Sequence, residues 1–154
     1  AKSCDELVLC GWQVIFLPFH YPDDLKANRE ILAKMKQNAI VLEENYTPKE
    51  TMAILKNTDV ILGMRLHSLI MGAVLKKPIV GLSYDPKVSS FMQLLRQKEC
   101  YSVDQFNSQD LTMAINRAGQ QKDEIVSQLE QLVEVMKKHA KAPAELVCKL
   151  DTPI

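Results

Sequence analysis

The sequence predicts an α/β fold: a doubly wound, mainly parallel sheet with a long C-terminal helix. Three observations point there. Short apolar runs rich in valine and isoleucine recur along the chain, separated by stretches with the three-four apolar spacing of amphipathic helices. Several of those stretches open on a capping signature. Strands alternating with helices imply right-handed crossovers, and so parallel strands with helices on both faces.

Taken in order, "CDELVLCGW" reads as the last turns of a helix whose beginning lies upstream, so the chain is expected to be part of a longer protein. "QVIFLPF" is a continuous apolar run, expected to be a strand buried on both faces. "HYPDDLKANREILAKMKQN" gives a loop and a helix. Pro22 stands near its start, acids fill its first turn, and Leu25, Ile31, Leu32 and Met35 lie on its inner face. "AIVLEE" is the second strand.

"TPKETMAILKNT" has the shape of a capping box, Thr47 before Pro48 and Glu50 three residues on, and gives a short helix. "DVILGM" is the third strand. "HSLIMGAVLKK" is apolar on most of its surface and reads as a helix buried against the sheet, with Gly72 permitting close approach. "PIVGLSY" follows as the fourth strand. "DPKVSSFMQLLRQK" opens on Asp85 as N-cap and Pro86 at the first helical position. "CYSV" is a short fifth strand. Residues 108 to 140 are helical with a polar break at "GQQKD". Their apolar positions Ile115, Ala118, Ile125, Leu129, Leu132 and Met136 suit packing on the same domain rather than a coiled coil.

At 154 residues, 47% apolar and 25% charged, the chain is read as one domain over 1–154. Nineteen basic residues balance nineteen acidic ones, so no overall field attracts nucleic acid, and any anion site must be local. Cys4, Cys10, Cys100 and Cys148 form no C-x-x-C pair and are read as free thiols of a cytoplasmic domain. No run approaches the ~20 apolar residues of a membrane helix. Trp12, just before the first strand, is expected to mark contact with a domain outside this chain.

In a doubly wound fold, ligands bind outside the carboxyl ends of the strands. Three loops leave that edge with reactive side chains: "FHYP", "MRLH" and "SYDPK". Arg65 and His67 stand where the third strand gives way to a helix. There, unpaired N–H groups welcome phosphate or carboxylate, and a guanidinium adds a two-pronged grip. The competing reading pairs Arg65 with a nearby acid and leaves His67 a satisfied, half-buried residue; position on the ligand-binding edge favours the anion.

Lys87 lies in a first turn, where helices prefer acids. Either it is a solvated lysine or an anion compensates it. His20 is a loop histidine kept as a rim residue. Glu43 and Glu44 end the second strand where a ribose-binding acid would stand, but the turn after the first strand has no glycine to admit a pyrophosphate. A nicotinamide or flavin cofactor is therefore not expected. Zinc-protease, P-loop and serine-hydrolase motifs are absent.

The stretch "VILGMRLHSLIMGAVLKKPIVGLSYDPKVSSFMQLL", residues 60 to 95, resembles the signature region of the polysaccharide pyruvyl transferase family. "VIFLPFHYPDD" extends the similarity back to the first strand. The resemblance implies the C-terminal, Rossmann-like half of a two-domain fold of the glycosyltransferase-B type, its N-terminal domain absent here, and inactivity of this half alone. It implies transfer of a pyruvyl group from phosphoenolpyruvate to two hydroxyls of a saccharide, forming a ketal and releasing phosphate. Arg65 and Lys87 would then hold the donor and His67 would be the acid, with His20, Leu66, Ser68 and Tyr84 at the rim. It implies no cofactor or metal beyond the donor itself. The acceptor would be a cell-wall or exopolysaccharide precursor, lipid-linked in some members, which would bring the protein to the inner face of the membrane. Two other readings stay open: the C-terminal domain of a nucleotide-sugar glycosyltransferase, and a non-catalytic anion-binding module.

Overall fold

A computed structural model describes residues 1–150, with side chains through residue 141. The order is α1 (Lys2–Leu9), β1 (Ile15–Phe16), α2 (Asp23–Ala33), β2 (Ile40–Val41), α3 (Pro48–Lys56) and β3 (Ile61–Gly63). Then follow α4 (Leu66–Val74), β4 (Ile79–Ser83), α5 (Pro86–Leu94), β5 (Cys100–Ser102), α6 (Ser108–Gln120) and α7 (Lys122–Leu150). The fold class is as expected, and every strand pairing is parallel.

The strands are shorter than their apolar runs and form two sheets, β1–β2 and β3–β4–β5, rather than one. Ile15 lies opposite Ile40, and Ile61 opposite Ile79. No ladder bond joins β1 to β3 among the described residues. Pro18 has no N–H to offer a ladder and curtails the first run. That run is not buried on both faces either: Ile15 is 39% exposed and its partner Ile40 43%, so one face of the smaller sheet is open to solvent.

Helices cover both faces of the larger sheet. On one, Ile61 and Ile79 meet Leu69 and Ala73 of α4, Val88 and Met92 of α5, Leu55 of α3, and Leu129 and Val133 of α7. On the other, Val80 meets Leu7 of α1 and Leu111, Ala114, Ile115 and Ala118 of α6. Adjacent residues of β4 thus feed opposite cores, as period-two alternation requires. Leu69, Ile79, Met92, Leu95 and Leu129 are fully buried, each a contribution of roughly 1.5–3 kcal/mol from burial. The C-terminal apolar positions therefore pack within the domain.

Local signals were accurate where they were local. Thr47 and Glu50 form a reciprocal capping box at α3. Asp85 caps α5 by accepting the Lys87 N–H at 2.9 Å, with Pro86 at the first position. The polar break after residue 118 separates α6 from α7. Gly72 lies where an added Cβ would come within 2.7 Å of the Ile79 side chain, which is how α4 approaches β4 so closely.

Trp12 does not face outward as expected. Its ring lies over Gly119 of α6, where a Cβ would meet it at 2.8 Å, and its indole N–H donates to Asn116 Oδ1 at 2.7 Å. Cys4, Cys10 and Cys100 are free thiols, and the Cys148 side chain lies outside the described residues. Burial pushes the Cys4 and Cys100 thiols above their ordinary pKa, so neither is primed as a nucleophile. Among the described residues no helix is long and apolar enough to cross a membrane.

Candidate functional site

β3 and β4 lie side by side and point the same way, so the starts of α4 and α5 emerge next to one another at the carboxyl edge. Arg65 and His67 stand at the first of these starts and Lys87 at the second. Arg65 is the N-cap residue of α4, in extended conformation, and places no side chain on the helix's open N–H groups. Side chains cap α3, α5 and α6, whereas α1 and α2, like α4, have no side-chain cap. The first turn of α4 also lacks an acidic residue. It thus presents the partial positive charge of an uncapped helix.

Why α4 begins there is visible in Gly63. A Cβ on that residue would fall 2.5 Å from Ser68 Oγ and 2.6 Å from Leu69 Cδ2. Only a glycine lets the helix fold back so tightly onto the strand it leaves. Ser68 is buried and donates its hydroxyl proton to the Arg65 carbonyl at 2.6 Å. Its hydroxyl is thereby spent on the turn rather than turned to the rim. Leu66 is half-buried and His67 is exposed, its ring free of hydrogen bonds to other described residues.

Arg65 does have an acidic partner. Its Nη2 donates to Asp24 Oδ1 at 2.6 Å, while Nε stands 3.4 Å from Oδ2. Asp24 Oδ2 also accepts the backbone N–H groups of Phe19 and His20, at 3.1 and 2.8 Å. One carboxylate therefore ties the loop after β1 to the start of α4. The guanidinium has five N–H donors and this pairing leaves the rest available. His20 Nε2 lies 3.5 Å from Asp23, in the open. Lys87 is compensated by its own cap, Nζ lying 3.3 Å from Asp85 Oδ2. Glu43 is taken up by Arg29 at 2.9 Å.

Asp24 is the residue that sequence reasoning missed. Its place among first-turn acids was read as helix chemistry alone, and nothing local signals a partner 41 positions away. Burial pushes its carboxyl pKa up, but the Arg65 hydrogen bond and the N–H groups of His20 and Phe19 together bring it below the ordinary value. A depressed folded-state pKa means stability that is complete above the unfolded value of about 3.9 and lost as pH falls through the folded one. Asp24→Asn should cost about 1 kcal/mol at neutral pH, allowing for the solvent around Arg65. The gap between variant and wild type should close in acid. Urea unfolding at neutral and acidic pH reads both; a gap that stayed constant would remove the ion pair as its cause.

A second feature occupies the same edge. A cleft of about 350 Å³ opens between the ends of β4 and β5. Tyr84, Asp85, Ser102 and Asp104 line it, while Arg65, His67 and Lys87 do not. Of the candidate site residues named from the sequence, Tyr84 alone belongs to it. Tyr84 also lies near enough to Arg65 to add to the raised proton affinity that the guanidinium owes first to Asp24. Below the cleft, Arg117 of α6 grips Glu99 at 2.8 and 2.9 Å and reaches the Tyr101 hydroxyl at 2.9 Å, fixing β5 to α6. The described residues contain no group of three or more His, Cys, Asp or Glu side chains arranged to hold a metal ion.

Comparison with known families matches residues 1–86 to a model described as polysaccharide pyruvyl transferase. The match covers more than half of the chain. It takes in Arg65 and His67 and stops one residue short of Lys87. No curated protein and no solved structure gives a significant match.

Proposed function

Starting from a chain that belongs to the polysaccharide pyruvyl transferase family, we propose that it binds phosphoenolpyruvate at the start of α4 and delivers its pyruvyl group to a saccharide. The observation that carries this reading is the uncapped start of α4, with Arg65 as N-cap residue and an exposed His67 in its first turn. Phosphoenolpyruvate is small and heavily anionic. An open helix terminus flanked by Arg65 and Lys87 suits its phosphate and carboxylate without calling on a metal.

His67 is the proton donor in this reading. An imidazole can both give and take a proton, which suits transfer to and from carbon. Protonation of the donor's methylene carbon makes it a methyl group and leaves an oxocarbenium-like centre at the carbon bearing phosphate. A sugar hydroxyl adds there and its proton returns to His67. The carbon–oxygen bond to phosphate then breaks, a second hydroxyl adds, and its proton leaves with the phosphate. The product is a cyclic pyruvate ketal.

In this reading the chain is the donor-binding half of a longer two-domain enzyme of the glycosyltransferase-B type. An N-terminal domain completes the cleft, so these 154 residues alone do not turn over. The enzyme works in the cytoplasm, at the inner face of the membrane where its acceptor is lipid-linked.

An NMR titration with phosphoenolpyruvate and, separately, a uridine diphosphate sugar tests the assignment. Shifts of the His67 ring and Arg65 Nε signals with phosphoenolpyruvate alone, lost in Arg65→Ala, are expected. Shifts with the nucleotide sugar alone would make the protein a glycosyltransferase. No response to either ligand would take the donor site away from this half.

A further inference from the structure

The cleft between β4 and β5 has the opposite chemistry to the start of α4. Asp85 and Asp104 line it, together with Ser83, Ser102, Tyr84 and Tyr101, and no lysine or arginine does. The Asp104 carboxylate accepts no hydrogen bond from other described residues. Tyr84 is 46% exposed, and its hydroxyl lies within reach of the Arg65 guanidinium. Asp85 is taken up by its cap and by Lys87, so Asp104 is the carboxylate left open in the cleft, and there are too few ligands for a metal ion. A free carboxylate is a strong acceptor for neutral hydroxyl groups. Serine and tyrosine hydroxyls both donate and accept, as sugar hydroxyls do, so such a lining suits a ligand that is itself a polyol. Tyrosine adds a flat apolar face with a polar tip, against which the C–H side of a pyranose ring can lie.

From this lining we infer that the β4–β5 cleft is a subsite for a neutral sugar ring, held by Asp104, Tyr84 and Ser102. Its volume of about 350 Å³ holds one ring with bridging water. The inference rests on the proposed pyruvyl transfer and deepens it: the ring belongs to the acceptor saccharide. Tyr84 stands between the two regions, lining the cleft while lying close to Arg65. Lys87 paired to Asp85 marks the boundary between the cationic and anionic parts of the edge. A ring seated on Tyr84 is thereby brought beside the donor's end of the cleft.

The test is a pair of titrations on the 154-residue chain, one with a panel of methyl glycosides of glucose, galactose, mannose and N-acetylglucosamine, the other with phosphoenolpyruvate. At least one glycoside is expected to shift the Tyr84, Ser102 and Asp104 amide signals. Its affinity should fall about tenfold in Asp104→Asn and in Tyr84→Ala. Asp104 is exposed, so its variant keeps the test valid should Tyr84→Ala fail to fold. Glycosides that leave these signals unmoved, or bind the two variants as well as wild type, overturn the inference. If phosphoenolpyruvate still moves His67 in that case, the donor reading survives alone. Glycoside shifts that depend on Asp104, with none from phosphoenolpyruvate, support the sugar cleft and count against the donor site.

Discussion

His67→Ala is expected to abolish pyruvyl transfer, by about 10²- to 10⁴-fold, while leaving phosphoenolpyruvate affinity nearly intact. The division follows from position. His67 is exposed at the first turn of α4 with no protein partner among the described residues, so its loss disturbs no contact that holds the domain together. Arg65 differs: it is half-exposed and already held by Asp24, a cation pre-aimed at the edge. Arg65→Ala should therefore act on binding, weakening the donor by about 1.5–3 kcal/mol, the usual worth of hydrogen bonds to a charged group. It should also leave Asp24 short of a partner, and so lower stability modestly. Phosphate release in an enzyme competent for transfer, set beside donor titrations, separates the two roles. Equal losses of donor affinity in both variants would dissolve the distinction between acid and anchor.

The other large effect falls on Gly63→Ala. The methyl group would sit 2.5 Å from the buried Ser68 hydroxyl and 2.6 Å from Leu69, whose side chain is fully buried among α4, α5 and the sheet. Neither neighbour has room to retreat, so overpacking should cost about 1–3 kcal/mol, at or near the upper end. For a chain of this size that is a fall in Tm of roughly 4–10 °C. The cost would not be purely structural. The first turn of α4 would be pushed off the strand that carries it, and the His67 and Arg65 amide signals should shift with it. Thermal unfolding and a backbone NMR spectrum check both halves of this expectation. A variant of unchanged Tm would mean that the turn is looser than these contacts imply.

How far the sequence could be read depended on distance along the chain. Thr47 with Glu50, and Asp85 with Pro86, are signals complete within four residues, and they place the starts of α3 and α5 correctly. Strand and helix alternation, also local, was enough for the fold class. What failed was long-range. The partition into two sheets depends on which strand edges meet, and the apolar run before Pro18 carries no mark of that. Trp12 looked like an orphan aromatic because Gly119 and Asn116, its partners, lie more than a hundred positions away. Arg65 and His67 were found by their place at a strand end, whereas Asp24, which holds Arg65, offered only the ordinary look of a helix-start acid. The β4–β5 cleft was unmarked for the same reason: Tyr84 and Asp104 are unremarkable apart, and only the pairing of β4 with β5 brings them to one opening.

The break between the two sheets has a dynamic consequence. Where one sheet would be stitched together by main-chain ladder bonds, β1 and β3 are joined across side chains: the Asp24–Arg65 clasp at the carboxyl end and packing around Val14, Val60 and Trp12 on one face. Such a joint can breathe without breaking a ladder, and regions with few protected amides are those that open first. An anion bound to the remaining N–H groups of Arg65 offsets part of the positive charge that Asp24 meets, so occupancy and the tightness of the joint are coupled by one side chain. Donor binding would then be reported at a distance, as faster amide exchange along β1 and β2, in strands that never touch the ligand.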